Sequence, residues 1–162
     1  MDRLSGAITT LLDAARGAPL TAAHSDVDTG VRRVLDRHAR PGIAVRVDAV
    51  AGAVPIPEEL LDRILGPLAE NAFRYADARV EATADRVGDV VRIRIRNDGR
   101  PVDQVEHLFE PGARDPASPG AGLGLALSRR LARTAGGDVR LESPQPATFL
   151  VQLPVEGRTP TP

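Results

Sequence analysis

The spacing of apolar residues changes period along this chain, and that change limits the folds open to it. Leu4, Ile8, Leu11, Leu12 and Ala15 recur at helical spacing until Gly17 and Pro19, which predicts a short amphipathic helix at the start. Val27, Val31, Val34 and Leu35 make a second helical face closed by Pro41-Gly42, with Ser25 three residues ahead of Asp28 in a capping arrangement. Ile43, Val45 and Val47 then alternate with Arg46 and Asp48, the two-residue period of a strand. Pro57 followed by Glu58 and Glu59 marks a helix start, with acids set against the dipole. Its apolar face runs from Leu60 to Phe73 and is interrupted by Gly66-Pro67, where a kink is expected because an interior proline removes a backbone bond at a cost of about 3 kcal/mol. Residues 80–84 and 91–95 alternate around Val87-Gly88-Asp89 as a hairpin. A polar stretch over residues 99–119 follows, with Val102, Val105, Leu108 and Phe109 as its apolar anchors. A helix over about 123–135 capped by Gly136-Gly137, and strands over 139–142 and 148–153, complete the pattern. Strands paired in hairpins, with helices between them, predict an α+β fold, a two-layer α/β sandwich with helices on one sheet face.

Composition removes several chemistries. With 162 residues the chain buries roughly two thirds of its unfolded surface, enough for a core without staples. It has no cysteine, which excludes disulfides, thiolate zinc sites and a cysteine nucleophile. All 21 basic residues are arginine. Without lysine there is no Walker A loop and no Schiff base, so a nucleotide must be held by other means. A net charge of −1 and 2% aromatics argue against a nucleic-acid partner, although Arg92, Arg94 and Arg96 line one strand face, read here as solvated. No apolar run reaches the roughly 20 residues that span a bilayer, and the chain as given is expected to be soluble and cytoplasmic. The proline-rich end, from Pro154 on, is expected to be a disordered tail, beginning as a domain boundary at residue 155.

Four segments carry candidate chemistry. Gly120-Ala121-Gly122-Leu123-Gly124-Leu125 opens a helix, where clustered N–H groups and the positive helix end hold an anion without lysine. The dinucleotide fingerprint is a poor match, since no strand precedes the glycines and Leu125 stands where the third is needed; Glu142 is the one feature in its favour. Asn71, Arg74 and Tyr75 share one helix end by their spacing, and offer an oxygen for a magnesium ion and a charge for a phosphate. Asn97-Asp98-Gly99 follows a buried-type strand, and Phe109-Glu110-Pro111 sits within the long loop, which at that length is a functional lid.

Together, and in this order, these segments resemble the N, G1, F and G2 boxes of bacterial sensor histidine kinases. The resemblance covers residues 26–154, the catalytic and ATP-binding domain, and residues 1–17 look like the end of the dimerisation helix that precedes it in the family. It implies the Bergerat fold of the GHKL type, with a mixed sheet and a mobile ATP lid, and ATP and Mg²⁺ as cofactors. Carried over by residue, Asn71 matches the magnesium-coordinating asparagine and Arg74 and Tyr75 the pair beside the phosphates. Asn97 and Gly99 match the adenine-reading box, and Gly120, Gly122, Leu123, Gly124 and Leu125 the phosphate-facing loop. Arg114 matches a lid arginine that approaches the γ-phosphate. Three positions depart: Asn97 stands where the family has aspartate, Pro101 where it has glycine, and Pro67 where it has another asparagine. A neutral acceptor in place of a charged one weakens the adenine bond by about 1 kcal/mol, and Asp98 is an alternative reader one residue on.

The family transfers the γ-phosphoryl group to a histidine of a dimerisation domain, for relay to a response regulator. The residues after His24, His38 and His107 fit no acceptor motif. The implied protein is therefore the catalytic domain of a longer, dimeric receptor, bound to a membrane only through segments outside this chain. Two other readings compete: an anti-sigma-type serine kinase that sequesters a partner, and a degenerate nucleotide-binding module without catalysis.

Overall fold

The computed structural model describes residues 23–113 and 122–155. The predicted opening helix, Arg114, Gly120 and the tail beyond residue 155 lie outside the described residues. Strand β1 (Ser25–Asp26) pairs antiparallel with β3 (Ala53–Val54) as a small ribbon that the sequence pattern does not announce, both strands being two residues long. The ribbon changes how helix α1 (Val27–His38) is capped. Asp26 is the cap, its carboxylate accepting from the Thr29 N–H at 2.7 Å, whereas the Ser25 hydroxyl donates to the Ile56 carbonyl and Asp28 accepts from the Ala51 N–H. The expected cap is one residue early because Ser25 is drawn into the ribbon.

Helix α2 (Glu58–Tyr75) starts after Pro57 and is one continuous element with Pro67 inside it. A wide stripe from Leu60 to Phe73 is buried, and burial of that stripe outweighs the single backbone bond lost at the proline. The main sheet contains β2 (Ala44–Val50), β4 (Arg79–Val87), β5 (Val90–Asn97), β7 (Ala147–Pro154) and β6 (Asp138–Pro144), in that spatial order. Strands β2 and β4 run parallel and the other neighbours antiparallel, so the sheet is mixed. Alternation puts Val80, Ala82, Val91, Ile93, Ile95, Phe149 and Val151 into one core with the apolar faces of α1, α2 and helix α3 (Gly124–Thr134). This is the two-layer α+β sandwich expected from the sequence.

The opposite sheet face carries the arginine stripe, and its arginines are paired. Arg92 and Arg96 lie directly across from Asp85 and Glu81 in register and bond to them, while Arg94 grips Glu142 at 2.7 Å. Leu150 lies between Arg94 and Arg140 in register and is buried on this face, where long arginine stems cover apolar surface. Glu142 is thus occupied by Arg94 and not available to a ribose. The ordered body also extends further than expected: Pro154 pairs with Val90 in register, and the Val155 N–H donates to Asp89 at 2.9 Å. The first residues of β5 need a partner, and the chain end supplies it.

Two contacts fix α3. The buried Ser128 hydroxyl donates to the Ile64 carbonyl of α2 at 2.5 Å. At the far end the chain turns at Gly136 and passes β7 so closely that a Cβ on Gly137 would lie 1.9 Å from the Gln152 carbonyl oxygen. Gly137→Ala must therefore displace backbone and is expected to lower stability by about 1–3 kcal/mol, read as a reduced urea midpoint with an unchanged slope.

Candidate functional site

Two element ends, the exit of β5 and the start of α3, border the C-terminal half of α2. The last turn of α2 carries Asn71, Arg74 and Tyr75, all half-buried. Arg74 is held to Glu70 at 2.6 Å, a pair four residues apart on the helix. The Arg100 guanidinium lies over the Tyr75 ring, 5.1 Å from its centroid. The first of the two bordering ends is the exit of β5. Here the Asp98 carboxylate accepts from three consecutive backbone N–H groups, of Asp77, Ala78 and Arg79, at 3.0–3.1 Å. These bonds, from Ala78 foremost, then Arg79 and Asp77, hold the Asp98 carboxyl below its ordinary value. Its Oδ1 is committed to the start of β4, which speaks against Asp98 as the base-reading residue.

Gly99 shows why this clamp requires glycine. It is buried, and a Cβ there would lie 1.7 Å from the Tyr75 carbonyl oxygen. Any side chain would push the exit of β5 off the end of α2. Asn97 sits beneath it, 1% exposed, on the core face of β5 and directly across from Val80. Its Nδ2 is buried without a hydrogen-bond partner. A buried amide donor left unpaired costs about 1–3 kcal/mol, so its retention calls for an explanation.

The second bordering end is the start of α3. Gly122 has φ of +66°, and a Cβ on it would fall 2.4 Å from the Ala113 carbonyl oxygen. Its own carbonyl accepts from the Gly112 N–H at 3.2 Å, closing the neck of the loop. No side chain caps α3 at Leu123 and no acidic residue lies in its first turn, so neither the cap residue nor the first turn offsets its first N–H groups and positive dipole end. Leu123 is exposed, whereas Leu125 packs against the core and fixes the helix start from below. Gly124 faces α2: a Cβ there would be 3.2 Å from the Pro67 Cβ. Pro67, a departure from the family pattern, is therefore the neighbour of Gly124, which matches it.

Of the loop anchors, Leu108 and Phe109 pack on the core, Phe109 edge-on to Phe149 with centroids 6.2 Å apart. Val105 does not; it is exposed in a single 3₁₀ turn, Val105–His107. The sequence reading missed two partners of this region. Arg129 stacks on Phe109 at 5.0 Å and bonds Asp138, and with Arg130 and Arg133 it lines a concavity of about 470 Å³ along α3. Asp98, named from the sequence as an alternative base reader, instead satisfies N–H groups ahead of β4, as an acid directly after a strand and facing a helix exit can do. No cluster of histidine or carboxylate side chains suited to a metal occurs among the described residues.

Residues 57–157 match the family of histidine kinase-, DNA gyrase B- and HSP90-like ATPases, and the chain belongs to that family. Membership carries ATP binding with it. Sensor histidine kinase GtrS of Pseudomonas aeruginosa is 33% identical over 141 residues, which cover 82% of this chain and 30% of that protein. Sensor protein CseC of Streptomyces coelicolor is 32% identical over 155 residues, 91% of this chain and 30% of that protein. The chain thus spans about a third of the length of these curated relatives. Among solved structures, the mycobacterial sensor histidine kinase MprB superposes with a TM-score of 0.73 at 24% identity, covering 83% of this chain and 99% of that one. Full-length ShkA in complex with AMPPNP gives 0.71 at 26% identity, covering 94% of this chain and 35% of that one. The fold is that of the histidine kinase ATPase domain. Among the described residues no helix is long and apolar enough to cross a membrane.

The Asp98 clamp has a testable pH signature. A carboxyl whose value is depressed by folding stabilises above the ordinary carboxylate range, and that stabilisation is lost as pH falls through the folded value. Asp98→Asn is expected to be less stable than the parent at pH 7, with the gap narrowing below about pH 4. Urea midpoints between pH 7 and 3 measure it, and a constant gap contradicts the clamp.

Proposed function

We propose that the chain is the ATP-binding catalytic domain of a sensor histidine kinase. In this reading the γ-phosphoryl group passes to a histidine on a dimerisation domain, for relay to a response regulator. The observation that carries the proposal is the convergence of the two element ends on α2. Gly99 abuts Tyr75, and Gly124 abuts Pro67, so the segments that resemble the G1 and G2 boxes both border the helix that carries the N-box residues. The relatives named above are sensor kinases, which favours a histidine acceptor over the serine acceptor of an anti-sigma-type kinase.

In this reading Asn97 meets the purine, and the uncapped start of α3, at Gly122, Leu123 and Gly124, faces the phosphates, with Gly120 extending that loop. Arg74 and Tyr75 flank the phosphates from α2. Arg74 must then leave Glu70 or carry it along, and the exposure of that pair makes the exchange cheap. A magnesium ion, when bound, supplies charge neutralisation to the phosphates. Asn71 is the residue that would hold it, by its amide oxygen. Magnesium in such a site takes most of its ligands from phosphate and water. Arg114 is assigned to the charge that develops on the transferred group.

Two outcomes test this function. Asn71→Asp is expected to weaken Mg-ATP binding by about tenfold or more, since ligand charge and geometry both change; equal affinities in a calorimetric titration contradict the assignment. With radiolabelled ATP, the chain alone is expected to acquire no acid-labile phosphate, because none of its three histidines lies in an acceptor motif. A histidine-bearing dimerisation domain added in trans is expected to become labelled slowly, limited by docking. Label on the chain alone, or none on the added domain at high concentration, contradicts the proposed transfer.

A further inference from the structure

Four polar side chains are buried among the described residues, and three are satisfied. Ser25 donates to Ile56, Ser128 to Ile64 and Thr148 to Pro146, each at a backbone carbonyl. Asn97 is the exception: its Nδ2 lies in the interior with no acceptor. Val80, opposite it in register, is apolar. The Tyr75 carbonyl oxygen lies on the Gly99 side but makes no hydrogen bond to Nδ2. A buried donor that no neighbouring acceptor satisfies points to an acceptor that arrives with a ligand.

The chemistry of that acceptor follows from the difference between an amide and a carboxylate. An ionised carboxylate only accepts, so at the edge of a purine it selects a 6-amino group and turns its lone pairs against a 6-oxo group. An amide has both faces. Its Nδ2 donates to a 6-oxo group, and a half-turn about the last side-chain torsion presents Oδ1 to a 6-amino group, the two ends being nearly equal in size. Strong discrimination between near-isosteric ligands arises when the wrong one leaves a buried polar group unpaired. Either 6-substituent finds one complementary end of the Asn97 amide.

We infer that Asn97 makes this site a purine site of relaxed specificity, one that accepts 6-oxo purine nucleoside triphosphates beside ATP. The inference rests on the reading of Asn97 as the base contact. Inosine triphosphate is the probe, because it differs from ATP at the 6-position and lacks the extra 2-amino group of guanine.

Calorimetric titration of the whole chain with Mg-ATP and Mg-ITP tests it. The expected result is a dissociation constant for Mg-ITP within tenfold of that for Mg-ATP, with Asn97→Asp raising the preference for ATP by tenfold or more. A preference for ATP above tenfold in the unmodified chain overturns the inference, as does a ratio that Asn97→Asp leaves unchanged. The comparison in the unmodified chain decides the matter even where the aspartate variant does not fold. The two levels separate cleanly: ATP bound and ITP refused removes only the relaxed specificity, whereas a folded chain that binds neither at millimolar concentration removes the proposed nucleotide site along with it.

Discussion

The approach of the β5 exit to the end of α2 is the constraint on which the rest of the site depends. With 1.7 Å between a hypothetical Gly99 Cβ and the Tyr75 carbonyl oxygen, only a glycine lets the two backbones touch. Asp98, next in the chain, fastens the junction by accepting from three N–H groups at the start of β4. One short segment thereby fixes the distance between the Asn71 turn and Asn97, the two elements ahead of the long loop that hold candidate ligand contacts. A change of a few tenths of an ångström here would move both. The helix after that loop joins through small surfaces: the Ser128 bond to α2 and the contact of Gly124 with Pro67.

That last contact gives the departures from the kinase pattern a physical setting. Pro67 on α2 lies against the first residue of α3, where a methylene group and a glycine pack together. Asn97, by contrast, retains polar character in a place where an apolar residue would be the cheaper occupant of a finished core. The first reads as packing, and the second is the base contact of the proposed function. Electrostatics divides in the same way. The arginines of the outer sheet face are neutralised strand by strand by Asp85, Glu81 and Glu142, and such exposed pairs contribute little individually. The start of α3 instead has a dipole that no acidic side chain in its first turn offsets.

Most periodic elements were legible in the sequence because each has one buried face: α1, α2, α3 and the strands β4, β5 and β7 follow their apolar spacing, whereas on β2 Val45 and Val50 are exposed and Ala49 is the buried residue. The ribbon of β1 and β3 was not legible, since two-residue strands have no period to read, and its presence moved the cap of α1 from Ser25 to Asp26. The placement of Pro154 and Val155 was not legible for a related reason. Pro154 signals disorder by composition, but the edge of β5 decides its place, and that is a tertiary contact. In the site, the glycines and asparagines stood out by type and order. The function of Asp98 did not, because a three-N–H clamp depends on where α2 ends relative to β5, a distance that no local pattern encodes. Arg114 and Gly120 lie outside the described residues.

The central claim is that a purine nucleotide spans from Asn97 to the start of α3. Chemical-shift mapping of the ¹⁵N-labelled chain during titration with a non-hydrolysable ATP analogue and magnesium tests it most directly. The account predicts that the Asn97 side-chain amide signals and the backbone signals of Gly99 and residues 122–125 shift together along one binding isotherm. An Asn97 amide that stays still while the analogue saturates, or shifts confined to the arginine face of the sheet, would contradict it.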